Sequence, residues 1–357
     1  MGKTIINGPV VILRTALVLC CIYLYRSRSD NSVESAQVPN INISSNHGQV
    51  AVSYEANMDT WKMLEEWASA NEYILGWDDN KKRLITIQSD EFEIYNPSND
   101  PDFLLKREEA VKMAILRGKA DILRHGRSEY VNEFLAEPGL DGMAEERDVK
   151  EVQVTGGTIQ KISAKGTIRG AVVLQQAESW NPTTKEYQMA VLLVWSEQLE
   201  QAARSVLTNE ATFEQSAVGQ ASLNDWLDAK DMGTVLGSRQ FVDNLGARHF
   251  LGIAARPVGR NDMEDNNNRN LADLSAKQML ARLLVSEVDA SWEFHPDSTP
   301  LGETIENIIY TNPPVVVKGM KPVFRAKARN QLTGQDMHIS VWGVIAQEEA
   351  INSHKIP

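Results

Sequence analysis

Cysteine is nearly absent from this chain, and its scarcity excludes several kinds of chemistry. The two cysteines among 357 residues, Cys20 and Cys21, lie side by side in an apolar N-terminal stretch. No disulfide framework, cysteine-ligated metal or cysteine nucleophile is therefore available after residue 21. A thiol-free remainder suits an exported domain that folds without disulfides, although cytosolic proteins can also lack cysteine.

An excess of positive charge is also lacking. The formal net charge is −12 and the isoelectric point is about 5.1. This balance argues against nucleic acids or anionic membrane surfaces as partners, because both are recognised by clustered Lys and Arg. The length of 357 residues predicts about two domains at roughly 150 residues each.

Motifs for catalysis and metal binding are missing from the sequence. It contains no phosphate-binding loop and no G-x-S-x-G nucleophile elbow, and its six histidines are too scattered for a zinc-binding helix pair. The acidic stretch "NDMEDNNN" lacks the ligand spacing of a calcium-binding loop, and we expect it to be a solvated connection. We therefore predict a protein that is not an enzyme, with no catalytic residues, metal site or cofactor.

An apolar run from Pro9 to Tyr25, interrupted by Arg14 and Thr15, has about the minimum length of a membrane span. No small-residue cleavage site follows it. A lipoprotein signal is poorly matched, since Leu19 precedes the first cysteine. We predict a membrane anchor or signal over residues 1–26, with an uncleaved signal-anchor preferred, and a flexible tether over residues 27–57.

Two stretches of similar pattern suggest an internal repeat. "SWNPTTKEYQMAVLLVWS" (179–196) and "RNQLTGQDMHISVWGVIA" (329–346) each combine a polar turn with an apolar strand. A shift of about 150 positions superimposes them, and places Tyr187 on Met337 and Val191 on Val341. Because predicted hairpins, helices and strands also recur in the same order, we expect a structural duplication.

The predicted fold class is α+β, with two related units, each made of a hairpin, an amphipathic helix and an antiparallel sheet. Helical periodicity follows both predicted hairpins, and β-branched residues mark the strands. The predicted divisions after the anchor and tether are the following: a first α+β unit at 58–207, a linker with a short helix at 208–237, a second α+β unit at 238–347 and a C-terminal tail at 348–357.

Three tryptophans lie in or beside the repeated strands and are the candidate site residues. Core packing is one explanation for Trp180, Trp195 and Trp342. If they are exposed on one sheet face, they would form a surface for a partner or ligand. The sequence leaves both interpretations open.

The chain resembles an uncharacterised family of exported Gram-negative proteins that is known only as a domain of unknown function. The resemblance rests on "NPSNDPDFLLKREEAVKMAILRGKADI" and on the later strand "YQMAVLLVWS", and it extends over most of 61–346. More distantly, the order of elements is similar to small outer-membrane lipoproteins and to flagellar outer-ring assembly proteins. The poor lipoprotein signal departs from the lipoprotein pattern. The resemblance implies an envelope location and an assembly role, without catalytic residues.

Together these observations predict a non-enzymatic cell-envelope protein with a structural or assembly role. We expect an anchor in the inner membrane and a folded part in the periplasm. The expected partner is another envelope protein or a second copy of the chain, and no nucleic acid is expected. The alternative is a periplasmic module that binds a small ligand or glycan in a cleft between the two units.

Overall fold

The structure is a computed structural model, and it describes most of the chain after residue 58. The proposed anchor (1–26), the tether apart from a short strand, and the tail (348–357) lie outside the described residues. All described residues belong to one compact body, and none of their helices is both long and apolar enough to cross a membrane. The described ranges are 51–53, 59–125, 147–148, 152–155, 158–208, 219–295, 303–311 and 317–346.

Helices and strands alternate along the described chain. The helices are α1 (Thr60–Ala70), α2 (Phe103–His125), α3 (Glu197–Thr208), α4 (Leu223–Asp228) and α5 (Asp262–Leu284). The strands are β1 (Ala51–Ser53), β2 (Gly76–Asp78), β3 (Arg83–Glu93), β4 (Arg147–Asp148), β5 (Val152–Thr155), β6 (Thr158–Ile168), β7 (Val172–Asn181), β8 (Glu186–Ser196), β9 (Gly237–Val242), β10 (Arg248–Pro257), β11 (Ser286–His295), β12 (Glu303–Thr311), β13 (Lys321–Arg329) and β14 (Asp336–Ile345).

Three sheets organise these strands, and they confirm the predicted α+β class. Sheet 1 has the order β1-β7-β8-β3-β2, and sheet 2 has the order β13-β14-β10-β9. The third sheet, β12-β11-β6-β4 with β5 also paired to β6, joins strands from both halves of the chain. Neighbouring strands run antiparallel except for β1, which lies parallel to β7.

Sheets 1 and 2 are built in the same way. In each, a helix precedes a hairpin, a helix of 23 residues follows it, and a second hairpin closes the sheet. Helix α1 packs Leu64 onto the face of sheet 1 that carries Ile85 and Leu192, while α2 packs on the opposite face at Leu193. Sheet 2 is enclosed similarly, because α5 contacts β10 at Gly252 and α4 belongs to the cluster on the other side.

The closing hairpins share details that establish their equivalence. Asn181 and Asn330 each begin the turn, and each side chain accepts a hydrogen bond from the amide of the threonine three positions later, at 3.2 Å from Thr184 and at 2.9 Å from Thr333. Each turn then has a residue with a positive φ four positions later. Each hairpin also carries one irregularity, between Val173 and Gln175 and between Pro322 and Phe324. The two halves are therefore structural repeats.

The repeat offset is 149 residues in these hairpins, one fewer than the sequence pattern suggested. Side chains alternate between the faces of a strand, so one residue of slip exchanges the faces. Ser340 and Trp342 contact Asp273 of α5, which places Met337 on the opposite face. Tyr187 lies on the face of sheet 1 that packs against α2, and at the offset of 149 it corresponds to Asp336. The sequence-based pairing of Tyr187 with Met337 was wrong, because Met337 lies on the face of sheet 2 that points away from α5.

The polar stretch "NDMEDNNN" (261–268) was expected to be a solvated connection, but it caps and begins α5. Asn261 caps the helix, with its side chain accepting from the Glu264 amide at 3.0 Å. Three acidic residues occupy the first turn, where negative charge interacts favourably with the helix dipole. The prediction was wrong because it relied on the polarity of the stretch and overlooked the helix-capping residues at its start.

Candidate functional site

The three candidate tryptophans occupy separate places. Trp180 is partly buried and donates through Nε1 to the Ile94 carbonyl at 3.1 Å. Trp195 is 1% exposed, so it offers no surface to a partner. Trp180 and Trp195 lie at opposite ends of the β7–β8 hairpin, and Trp342 lies in sheet 2. The structure does not bring the three side chains together.

A more distinctive feature is the seam where the second unit meets the first. The segment Thr234–Gly237 lies against α2, and we call it the plug. Gly237 has φ of 87°, and a Cβ added to it would lie 3.0 Å from Ile115 Cδ1 and 3.3 Å from Val111 Cγ1. Because an ordinary residue would be strained and crowded there, glycine allows the plug to approach the helix closely.

A buried polar network holds the plug in place. Arg107 of α2 donates to Glu178 through Nε at 2.7 Å and through Nη2 at 2.8 Å. The same Nη2 donates to the carbonyl of Thr234 in the plug at 3.3 Å. Tyr187 donates its hydroxyl to Glu178. Burial opposes the charge of Arg107, but Glu178 outweighs it and holds the pKa of Arg107 above its ordinary value.

The first unit contains a counterpart of the plug at the same point before its hairpin. The segments Tyr73–Gly76 ("YILG") and Thr234–Gly237 ("TVLG") each end in a glycine that starts a strand, with φ of 86° and 87°. Leu236 is 1% exposed, whereas Leu75 is 39% exposed. A Cβ added to Gly76 would meet nothing within 4 Å. The plug of the first unit is therefore uncovered in the described structure.

The surface that receives the plug also has an uncovered counterpart, on α5. Since α2 and α5 have equal length, Ile115 and Leu274 are both the thirteenth residue of their helices. The second unit covers Ile115, which is 7% exposed, but Leu274 is 51% exposed. Met263, the counterpart of the buried Leu104, is also exposed. We call this surface of α5 the open helix face.

A cavity of about 210 Å³ lies beside the seam between α2 and α5. Its lining combines apolar side chains with charged and hydroxyl groups. The lining residues are Glu109, Lys112, Met113, Ile115, Leu116, Lys119, Ser238, Met279 and Arg282. This cavity is the candidate for the alternative of a ligand site in a cleft between the units, but its lining contains no tryptophan.

Lys119 is the fully buried cation of this cavity. Its Nζ donates at 2.6 Å both to the carbonyl of Arg282 and to the hydroxyl of Ser286. Burial, with a smaller contribution from the charge of Arg282, lowers the pKa of Lys119 to about 7. The described residues place no carboxylate within ion-pair distance of this amine.

A second concave surface, of about 360 Å³, lies over α5, β13 and β14. His338 contacts Asp265 at 2.6 Å, and this hydrogen bond is the largest of several contacts that lower the pKa of Asp265 to about 2. Asp273 pairs with Arg325. Arg269 and Lys327 also lie within ion-pair distance of Asp265, so ordinary solvated ion pairs explain this surface.

Comparison with known proteins gives little further information. No protein-family model matches the chain, and no curated protein matches it. A crystal structure of a hypothetical protein from Francisella tularensis is similar with a TM-score of 0.47 and 12% identity, covering 87% of this chain and 98% of that one. Among the described residues, no group of three or more His, Cys, Asp or Glu side chains could hold a metal ion.

Sequence reasoning overlooked both the plug and the buried lysine. The plug had a signal, because "YILG" and "TVLG" precede the two hairpins at corresponding positions. Lys119 had none, since its two acceptors, at Arg282 and Ser286, are more than 160 positions away in the chain.

Proposed function

We propose that this protein is a non-enzymatic structural component of the cell envelope that assembles with further copies of itself. One observation carries the proposal: the plug and its receiving helix pack together within the chain, and an uncovered counterpart of each remains. The exposed plug Tyr73–Gly76 of one copy would cover the open helix face of the next. Such an interface is heterologous, because two different surfaces of the same chain meet.

The contact expected between copies is small. Ile74, Leu75 and Leu274 are exposed apolar side chains at its centre, and full burial of such a side chain contributes roughly 1.5–3 kcal/mol. The costs of association would offset much of this gain in dilute solution. An anchor over residues 1–26 would hold copies in one membrane and raise their effective concentration. We therefore expect assembly on the membrane rather than between isolated chains.

The membrane anchor and the periplasmic location belong to the proposal and rest on the N-terminal sequence and on the family resemblance. Protease treatment of intact and osmotically opened cells tests them. We expect the full chain to fractionate with the inner membrane and to become cleavable only after the outer membrane is opened. Cleavage that requires lysis of the inner membrane would place the folded part in the cytoplasm and contradict the location.

Single-cysteine crosslinking tests the assembly. In full-length chains with Cys20 and Cys21 changed to Ser, we would introduce Leu75→Cys into one copy and Leu274→Cys into another. Membranes that contain both variants should give a disulfide-linked dimer, while either variant alone should not. Leu245→Cys, at an exposed position in the β9–β10 turn, replaces Leu274→Cys in the matched control.

The pattern of products separates the possible arrangements. A chain that carries both Leu75→Cys and Leu274→Cys should form a ladder of higher oligomers, because a heterologous contact need not close. Dimers from Leu75→Cys alone would indicate a symmetric interface and overturn this arrangement. Equal crosslinking with the Leu245→Cys control would show that the contacts are random.

A second candidate function is the binding of a small ligand, and the cavity between the two units favours it. The cavity lies between the repeats, although its lining is aliphatic and cationic rather than aromatic. This lining gives no support to a glycan, which would favour stacking on aromatic rings. The chemistry of the cavity points instead to a different class of ligand.

A further inference from the structure

The cavity between α2 and α5 combines an apolar wall with a buried positive charge. Met113 and Leu116 of α2 and Met279 of α5 supply the apolar wall. Lys119 supplies the charge and is 1% exposed. Ligand sites commonly have this composition, in which a few polar groups are placed within an apolar lining.

We propose that this cavity binds a short amphipathic anion, with the anionic group at Lys119 and the apolar part against Met113, Leu116 and Met279. A carboxylate carried on one aromatic ring or on a short alkyl chain has the required chemistry. This cavity has no lining residue in the exposed segment Tyr73–Gly76, and neither Met263 nor Leu274 of the open helix face lines it. Its failure would therefore leave the proposed assembly untouched.

Charge balance around Lys119 supports an anionic ligand. A buried cation is costly unless an opposite charge compensates it, yet both described acceptors of Lys119 are neutral oxygens. The acidic residue of the lining, Glu109, lies 3.5 Å from Lys112. An incoming carboxylate would thus supply the opposite charge that the described contacts of Lys119 do not provide.

The size of the cavity limits the ligand. An apolar cavity of about 150 Å³ is large enough to hold benzene, and the volume here is about 210 Å³. Benzoate and its close relatives therefore fit, whereas a long-chain fatty acid would extend beyond the cavity. This comparison selects 4-fluorobenzoate as the probe, because its fluorine resonance reports binding directly.

Protonation of Lys119 should control the affinity. The groups that face it are Arg282 from α5 and Ser286 from β11, while Glu109 and Lys112 line the same cavity. Burial lowers the pKa of Lys119 to about 7, so the amine loses its proton as the pH rises through that value. We expect 4-fluorobenzoate to bind more tightly at pH 6 than at pH 8.5.

Fluorine NMR of the full chain in nanodiscs tests the site, with empty nanodiscs measured in parallel. 4-Fluorobenzoate should bind at least tenfold more tightly than the neutral 4-fluorobenzyl alcohol. Lys119→Met should reduce the affinity for 4-fluorobenzoate at least tenfold and leave that for the alcohol unchanged. Leu116→Trp should abolish binding of both probes by filling the cavity. Lys62→Met, on the exposed surface of α1, is the matched lysine control.

Several results would overturn the proposal. They are the absence of 4-fluorobenzoate binding to the unaltered chain, equal affinity for both probes, and binding unaffected by Lys119→Met. Thermal unfolding of each variant shows whether it is folded. If Lys119→Met does not fold, the comparison of pH 6 with pH 8.5 in the unaltered chain gives the decision, and a constant affinity contradicts the role of Lys119.

Discussion

Lys185 and Gly334 occupy the same left-handed position in equivalent turns, with φ angles of 65° and 68°. A residue with a Cβ is strained by about 1–2 kcal/mol in this region, and glycine avoids the strain at some cost in chain entropy. The same backbone conformation is thus made by a strained residue in one repeat and by an unstrained residue in the other.

Exchanging residues at this position should therefore change stability in opposite directions. We expect Lys185→Gly to raise the free energy of unfolding by about 0.5–1 kcal/mol, and Gly334→Ala to lower it by about 1 kcal/mol. Urea denaturation measures both changes. Lys185→Asn is the control, because asparagine tolerates the left-handed region but removes the ammonium group. A stabilised Gly334→Ala variant would contradict the equivalence of the turns.

Two glycines allow the long helices to pack closely on their sheets, and their replacement should have unequal effects. A Cβ at Gly252 would lie 2.1 Å from the backbone oxygen of Ala276, whereas one at Gly118 would lie 2.8 Å from the end of the Leu193 side chain. A side chain can rotate away, but helix backbone cannot. We expect Gly118→Ala to cost up to about 3 kcal/mol and Gly252→Ala to cost more, as measured by urea denaturation. Equal costs would contradict the close packing of α5 on β10.

The buried pair Arg107–Glu178 should show strong coupling. Loss of one partner leaves a buried charge uncompensated and costs about 3–5 kcal/mol. Arg107→Met should therefore destabilise strongly, as should Glu178→Met. The double variant should be at least as stable as the less stable of the two single variants, because it leaves neither charge buried without its partner. A double-variant cycle in urea measures this coupling, and additive costs would contradict it.

Much of the fold could be predicted from local patterns, and the failures have physical causes. The turn at Asn181 and the apolar strand after it were predicted because turn chemistry and side-chain alternation are local signals. The third sheet was missed, since β6 and β11 pair across more than 100 residues. The repeat offset was misjudged by one residue because β8 is buried on both faces, which removes the alternation that would fix its register.

The candidate site was less predictable than the fold. Tryptophan content suggested a surface at Trp180, Trp195 and Trp342, but packing against neighbouring elements determines where each ring lies. The exposed plug became recognisable only by comparing Leu75 with Leu236, which have similar sequence contexts and opposite exposure. Whether such a segment is exposed depends on whether a helix of the other unit packs against it, and this packing is a property of tertiary structure.

The stability of the protein should depend on pH through Lys119. Its pKa is lowered to about 7 from an ordinary value of 10.5, so between these values the unfolded chain binds more protons than the folded one. The free energy of unfolding contributed by this group therefore rises with pH across that interval. Lys119→Met lacks the titrating amine. We expect this variant to be more stable than the unaltered protein at pH 6, and the difference to shrink progressively toward pH 10.

Urea denaturation at several pH values measures the difference between Lys119→Met and the unaltered protein. Lys62→Met reports the effect of removing an exposed lysine and serves as the reference. A difference that stays constant between pH 7 and pH 10 would mean that the buried amine keeps its proton in the folded state. An internal counter-charge would then have to be present, and the cavity would have no need of an anion from outside.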